Sequence, residues 1–186
     1  MSAYLVLLLA VLSRILPHTF HATGLNITAV GGSLLFFGAR INNERWKALV
    51  AVLALAATDY YLTVYAYGYP FKVSGYLATW AWYAAICLLG SGLLAKRATA
   101  LRVTVGVLAS ATSFFILSNF MVWAGSGMYP ATAAGLGSCY VAAIPFYAND
   151  LISTAVVAGA LFGLPALAKD ITQGMRNVWS SGQPLA

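Results

Sequence analysis

Arg14, Asp59, Asn119 and Asp150 are the side chains best placed to do chemistry, because each falls within or at the end of a long apolar run. A charge inside a membrane costs about 2.5–3.5 kcal/mol on insertion scales, so such groups face a cavity or a partner. Arg14 and Asp59 have two readings: a structural pair that neutralises itself, or a pair that orients the polar part of a ligand. Asp150 reads either as a carboxylate favoured by a helix amino end or as part of a site. Asn119 adds an uncharged donor and acceptor.

Further polar and aromatic residues fall near these four: His18, His21, Asn26, Tyr60, Trp80, Trp82, Trp123, Tyr129, Tyr140 and Asn149. His18 and His21 have a spacing that suits a metal, but no third ligand follows, and none is expected. The tryptophans read equally as belt anchors at a membrane interface. No Gly-x-Ser-x-Gly elbow, His-Glu-x-x-His pair, phosphate loop or dinucleotide fingerprint occurs. Neither catalysis nor a cofactor is therefore expected. A channel is disfavoured by the absence of a charge ring or filter repeat, and no inverted transporter repeat is visible.

The elements that must hold these residues follow from composition. The chain has 186 residues, of which 61% are hydrophobic and 8% charged. A soluble domain carries about 25% charged residues, so lipid must be the solvent for most of this one. The apolar runs are 3–16, 26–41, 46–66, 74–95, 101–123 and 146–168. These predict a single all-α domain, an integral membrane bundle of six transmembrane helices. The first run lacks a basic amino-terminal region and is read as a retained helix, not a signal peptide.

The net charge of +6 comes from residues that punctuate the apolar runs, which fits the positive-inside rule and not nucleic-acid binding. With the N-terminus in the cytoplasm, Arg40, Arg45, Lys47, Lys96, Arg97, Arg102, Lys169 and Arg176 lie inside, and only Arg14 and Lys72 lie outside. The C-terminus is then cytoplasmic too. The scarce buried polar groups gather in the outer half, which predicts an aromatic-lined hollow opening outward. The connection 124–145 carries no charged residue. It is expected to be an outer lid, with 132–143 a short re-entrant or interfacial helix. Ala155, Gly159 and Gly163, and Gly106 with Ser110, have the spacing of close helix contacts and are expected to pack within the bundle. Cys87 and Cys139 suggest neither a disulfide framework nor zinc.

Several segments resemble a family of uncharacterised bacterial membrane proteins of transport type, domain of unknown function 6580. They are Asn119-Phe-Met-Val-Trp123, Met128-Tyr-Pro-Ala-Thr132, Gly135-Leu-Gly-Ser-Cys-Tyr140, Ala143-Ile-Pro-Phe146 and Asn149-Asp-Leu151. Arg14-Ile-Leu-Pro-His18, Asn26-Ile-Thr-Ala-Val30, Phe37-Gly-Ala39 and Thr58-Asp59 look like its earlier segments. In its six-helix layout that family is similar to the substrate-binding S-components of energy-coupling-factor vitamin transporters. The resemblance implies a vitamin-like solute bound near the outer face of the inner (plasma) membrane. The S-component contact for a coupling subunit, Ala-x-x-x-Ala in the first helix, is not matched by Ala3 and Ala10. The partners expected are the lipid bilayer, a small solute, and either an energy-coupling module or another membrane complex. The rival reading is a non-catalytic accessory subunit with no solute of its own.

Overall fold

The computed structural model describes residues 1–19, 28–41 and 44–181. The protein is all-helical among these residues. The helices are α1 (Ser2–Thr19), α2 (Val30–Arg40), α3 (Ala48–Tyr61), α4 (Leu77–Leu94), α5 (Ala100–Gly125), α6 (Ala133–Ala158) and α7 (Leu164–Ser181). A 3₁₀ turn, Arg45–Lys47, leads into α3, and a π-helical turn, Leu62–Ala66, ends it. A second π-helical turn, Gly159–Gly163, joins α6 to α7 without a break. Arg45–Ala66, Leu77–Leu94, Ala100–Gly125 and Ala133–Asn177 are long and apolar enough to cross a membrane, and Ser2–Ile15 is a shorter apolar helix.

The pairs α1–α2, α3–α4, α4–α5 and α5–α6 each run antiparallel. Ser13 of α1 accepts from the amide of Ala29, ahead of α2, while Tyr4 packs on Phe37 at the other end of the pair. Asp59 and Thr63 of α3 meet Trp80 and Tyr76 respectively. Trp82 and Leu93 of α4 meet Ser113 and Arg102 of α5. Thr112 and Ile116 of α5 meet Tyr147 and Tyr140 of α6. This up-and-down course puts Arg40, Arg45, Lys47, Lys96, Arg97 and Arg102 at one end of the bundle, termed the basic end. Arg14, Asp59 and Asn119 lie toward the other.

The core is built around α2, whose residues from Val30 to Ala39 are all buried. It is composed of Gly, Ser, Val, Leu, Phe and Ala, and the small residues let its neighbours come close. Gly38 lies directly against the carbonyl of Cys87, and Gly90 of α4 lies against the carbonyl of Leu35. A Cβ at either position would occupy the space of a backbone oxygen. This mutual contact fixes the α2–α4 crossing by van der Waals packing, which drives helix association in lipid. Gly32 sits equally close to Val157 and Ala158 of α6.

Two expectations about elements are corrected. The connection 124–145 is not a long outer lid: α5 runs to Gly125 and α6 begins at Ala133, so 133–143 is the start of a helix long and apolar enough to cross a membrane. Pro145 sits inside α6, where it removes the amide that would bond the Val141 carbonyl. Cys139 is consequently a buried helical residue that bonds the Asn119 carbonyl at 3.4 Å. The small-residue run on the last helix also fails to pack inside the bundle. A Cβ at Gly159 or Gly163 would meet nothing within 4 Å, whereas Gly106 does face Leu35 and Leu93.

Beyond Gly163 the last helix changes character. Leu164, Leu167, Ile171, Met175 and Trp179 are all exposed and fall on one stripe of α7. Lys169, Asp170, Gln173 and Arg176 fall on the opposite face.

Candidate functional site

The chain's buried ion pair joins α1 to α3. Arg14 donates through one terminal nitrogen to Asp59 Oδ1 at 2.5 Å, and Asp59 is 3% exposed. Its other terminal nitrogen donates to Thr58 Oγ1 at 2.6 Å and to the Leu55 carbonyl at 3.3 Å. Trp80 Nε1 of α4 donates to Asp59 Oδ2 at 2.9 Å. Both carboxylate oxygens are thus occupied, as a buried charge requires. Thr63 Oγ1 donates to the Asp59 carbonyl at 2.6 Å and contacts the Tyr76 hydroxyl. Phe71 and Tyr76 stack at 5.0 Å, with Trp80 alongside, and cover the network from the end opposite the basic one. Because Trp80 supplies one of two bonds to a buried carboxylate, Trp80→Phe is expected to lower stability by about 1.5–3 kcal/mol, read from reversible unfolding in mixed micelles.

A cavity of about 260 Å³ lies on the other side of Arg14. Arg14, Asn119 and Asp150 line it together with Val30 and Gly31 from the amino end of α2. Its walls are aromatic: Trp82, Tyr83, Phe114, Phe115, Phe146 and Tyr147. The polar atoms of these walls are largely spent elsewhere. Trp82 Nε1 donates to Ser113 Oγ at 2.9 Å, and the Tyr147 hydroxyl pairs with Thr112 Oγ1 at 3.0 Å. Asn119 Nδ2 donates to the Phe115 carbonyl at 2.8 Å, which leaves its amide oxygen. Ring contacts hold the walls in place, with Trp82 against Phe114 at 4.8 Å and Phe115 against Tyr147 at 4.9 Å.

Asp150 differs from Asp59. Among the described residues its carboxylate has neither an ion-pair nor a hydrogen-bond partner; only its carbonyl is used, by Ser153. Next to Gly31 lie two more unspent groups. Ser110 Oγ and Thr154 Oγ1 are fully buried and have no hydrogen-bond partner among the described residues, and both lie where a Cβ on Gly31 would meet them. No three His, Cys, Asp or Glu side chains come together as a metal site among the described residues.

The structure therefore sorts the residues singled out from sequence. Arg14, Asn119 and Asp150 share the cavity, and Asp59 and Trp80 support it through Arg14. Trp123, Tyr129, Tyr140 and Asn149 do not line it. Trp123 Nε1 instead donates to the Pro130 carbonyl at 2.9 Å, tightening the short α5–α6 connection, and Tyr140 donates to the Ile116 carbonyl at 2.8 Å. The side chain of His18 and the whole of Asn26 lie outside the described residues, as does His21. Sequence reasoning passed over Tyr83, Phe114, Phe115 and Tyr147. The adjacent aromatic pairs Trp82-Tyr83, Phe114-Phe115 and Phe146-Tyr147 were the available signal, each on a different turn of α4, α5 or α6.

The model of a family of unknown function, DUF6580, matches residues 1–175. The chain belongs to that family. The match spans every residue of the DUF6580 cavity and of the Arg14–Asp59 network, and ends within α7. No curated protein and no solved structure matches the chain.

Proposed function

We propose that this DUF6580 protein is a multi-pass inner-membrane protein that captures a small, partly aromatic solute in the cavity between α1, α2, α4, α5 and α6. The observation that carries the reading is the convergence of Arg14, Asn119 and Asp150 with aromatic walls in one concave space. An apolar pocket with a few convergent polar groups is the usual form of a small-molecule site. The rings would take the apolar part of the solute, and Arg14, Asn119 and Asp150 its polar part.

Placing the basic end in the cytoplasm follows the positive-inside rule and turns the cavity toward the outside. Both termini are then cytoplasmic. In this arrangement, akin to that of vitamin-binding S-components, solute enters from outside and is released inward by helix rotation or by the action of a partner complex. A reporter fused to Ala186 is expected to be active only in the cytoplasm; activity on the outer side would overturn the orientation.

Thermal unfolding of the purified protein against a panel of water-soluble vitamins and metabolites tests the capture itself. A true ligand at a hundred times its Kd adds about 2.7 kcal/mol, worth roughly 5–10 °C for a chain of this size. If no solute in the panel moves the transition, the capture reading fails.

A further inference from the structure

The charge balance around the cavity selects among solutes. Arg14 contributes a full positive charge, but Asp59 matches it at 2.5 Å. The amino end of α2, present through Val30 and Gly31, adds about half a positive charge. Asp150 adds a full negative charge with no partner among the described residues, so with the Arg14–Asp59 pair counted as neutral the cavity and its immediate surroundings are negative on balance. An anion would meet that charge unscreened by bulk water. A neutral solute would strip water from the carboxylate and return at most a hydrogen bond without a counter-charge.

The walls point the same way. Aromatic faces carry the negative part of the ring quadrupole, and a cation within about 6 Å of a ring is attracted by 0.5–2 kcal/mol, more where water is excluded. Six rings among the described residues line the cavity: Trp82, Tyr83, Phe114, Phe115, Phe146 and Tyr147. With the Trp82 indole N–H and the Tyr147 hydroxyl engaged at 2.9 and 3.0 Å outside the cavity, those residues present faces and edges in place of donors. The amide oxygen left on Asn119 is likewise an acceptor. With Arg14 already matched by Asp59 and small hydroxyls at Thr28 and Ser118, a space with one lone carboxylate, a spare acceptor and tilted aromatic walls suits a positively charged organic group.

We propose that the cavity binds an organic cation, an amine or quaternary ammonium group carried on a small aromatic or aliphatic body, with Asp150 as its counter-ion. The proposal rests on the solute-capture reading and adds the charge class of the solute to it. Inorganic cations fit poorly, because Asp150 is the only carboxylate among the described lining residues and hard cations such as calcium take six or more oxygen ligands.

The test uses the full-length protein in lipid nanodiscs and titration calorimetry with three probes of similar size. These are benzyltrimethylammonium, benzyl alcohol and phenylacetate. The cation is expected to bind at least tenfold more tightly than either of the others. Asp150→Asn is expected to erase that preference, and Asp150→Glu to keep most of it, which separates loss of charge from loss of fold. Benzyl alcohol or phenylacetate binding as tightly as the cation would overturn the cation assignment and leave solute capture standing. A preference that survives in Asp150→Asn would also overturn it. Absence of binding by every probe would overturn it too, and the vitamin and metabolite panel would then decide whether capture itself falls.

Discussion

Arg14→Leu is expected to leave little folded protein. It strands the Asp59 carboxylate, 3% exposed, with Trp80 as its remaining side-chain donor. Removing one partner of a buried pair costs about 3–5 kcal/mol, a large part of the 5–15 kcal/mol that holds a typical domain together. Asp59→Leu should be comparably damaging, because it leaves a guanidinium facing Thr58 and the Leu55 carbonyl without its counter-charge. The double variant Arg14→Leu/Asp59→Leu should recover much of the loss, since replacing a whole buried pair by apolar residues is often neutral. Unfolding in mixed micelles, read by tryptophan fluorescence, measures all three. If the single and double variants are equally unstable, the pair is not what joins α1 to α3.

A second large effect is expected at the α2–α4 crossing. Gly38→Leu would drive a side chain into the Cys87 carbonyl, and Gly90→Leu into that of Leu35. Neither obstacle is a flexible side chain that can turn aside, so the helices must separate. Overpacking a core typically costs 1–3 kcal/mol. Here the loss should reach or exceed about 3 kcal/mol, because the central buried helix is displaced. Gly92→Ala on the same α4 is the control, since its Cβ would meet nothing within 4 Å. It should be neutral or stabilising by up to about 1 kcal/mol, as Ala exceeds Gly in helix propensity. Equal losses at Gly38 and Gly92 would argue against the close crossing.

Scarcity made the polar part of the site legible. In a chain with so few charges, Arg14, Asp59 and Asp150 stood out individually, and their placement in apolar runs marked them as buried. Their pairing was not decidable, because the spacing of α1 against α3 depends on tertiary packing. The aromatic walls were harder to find. A ring in an apolar run faces lipid or a cavity with the same one-dimensional pattern, so only their occurrence as the adjacent pairs Phe114-Phe115 and Phe146-Tyr147 set Phe115 and Tyr147 apart. The start of α6 was misjudged for a related reason. Gly, Ser, Ala and Pro between Ala124 and Pro145 signal a loop in water, but Gly and Pro are more frequent in membrane helices. Neighbouring helices can also satisfy the carbonyl that Pro145 leaves free. The same bias drew attention to Ala155, Gly159 and Gly163, while the decisive close contacts lay at Gly38 and Gly90.

The brevity of α2 has a consequence for hydration. Its 11 residues reach about 16 Å, roughly half the 30 Å hydrocarbon thickness, so in a bilayer, with Arg40 at the basic end, the helix would begin near mid-depth, and its first amides lie at the amino end that lines the cavity. Lipid cannot satisfy those amides, and irregular backbone at such depth persists only where protein or an aqueous space meets it. Under the solute-capture reading, an unliganded cavity is expected to hold ordered water molecules hydrating this end of α2 and the Asp150 carboxylate. Any guest enters by evicting them, and its affinity is set by how well it replaces the bonds they made.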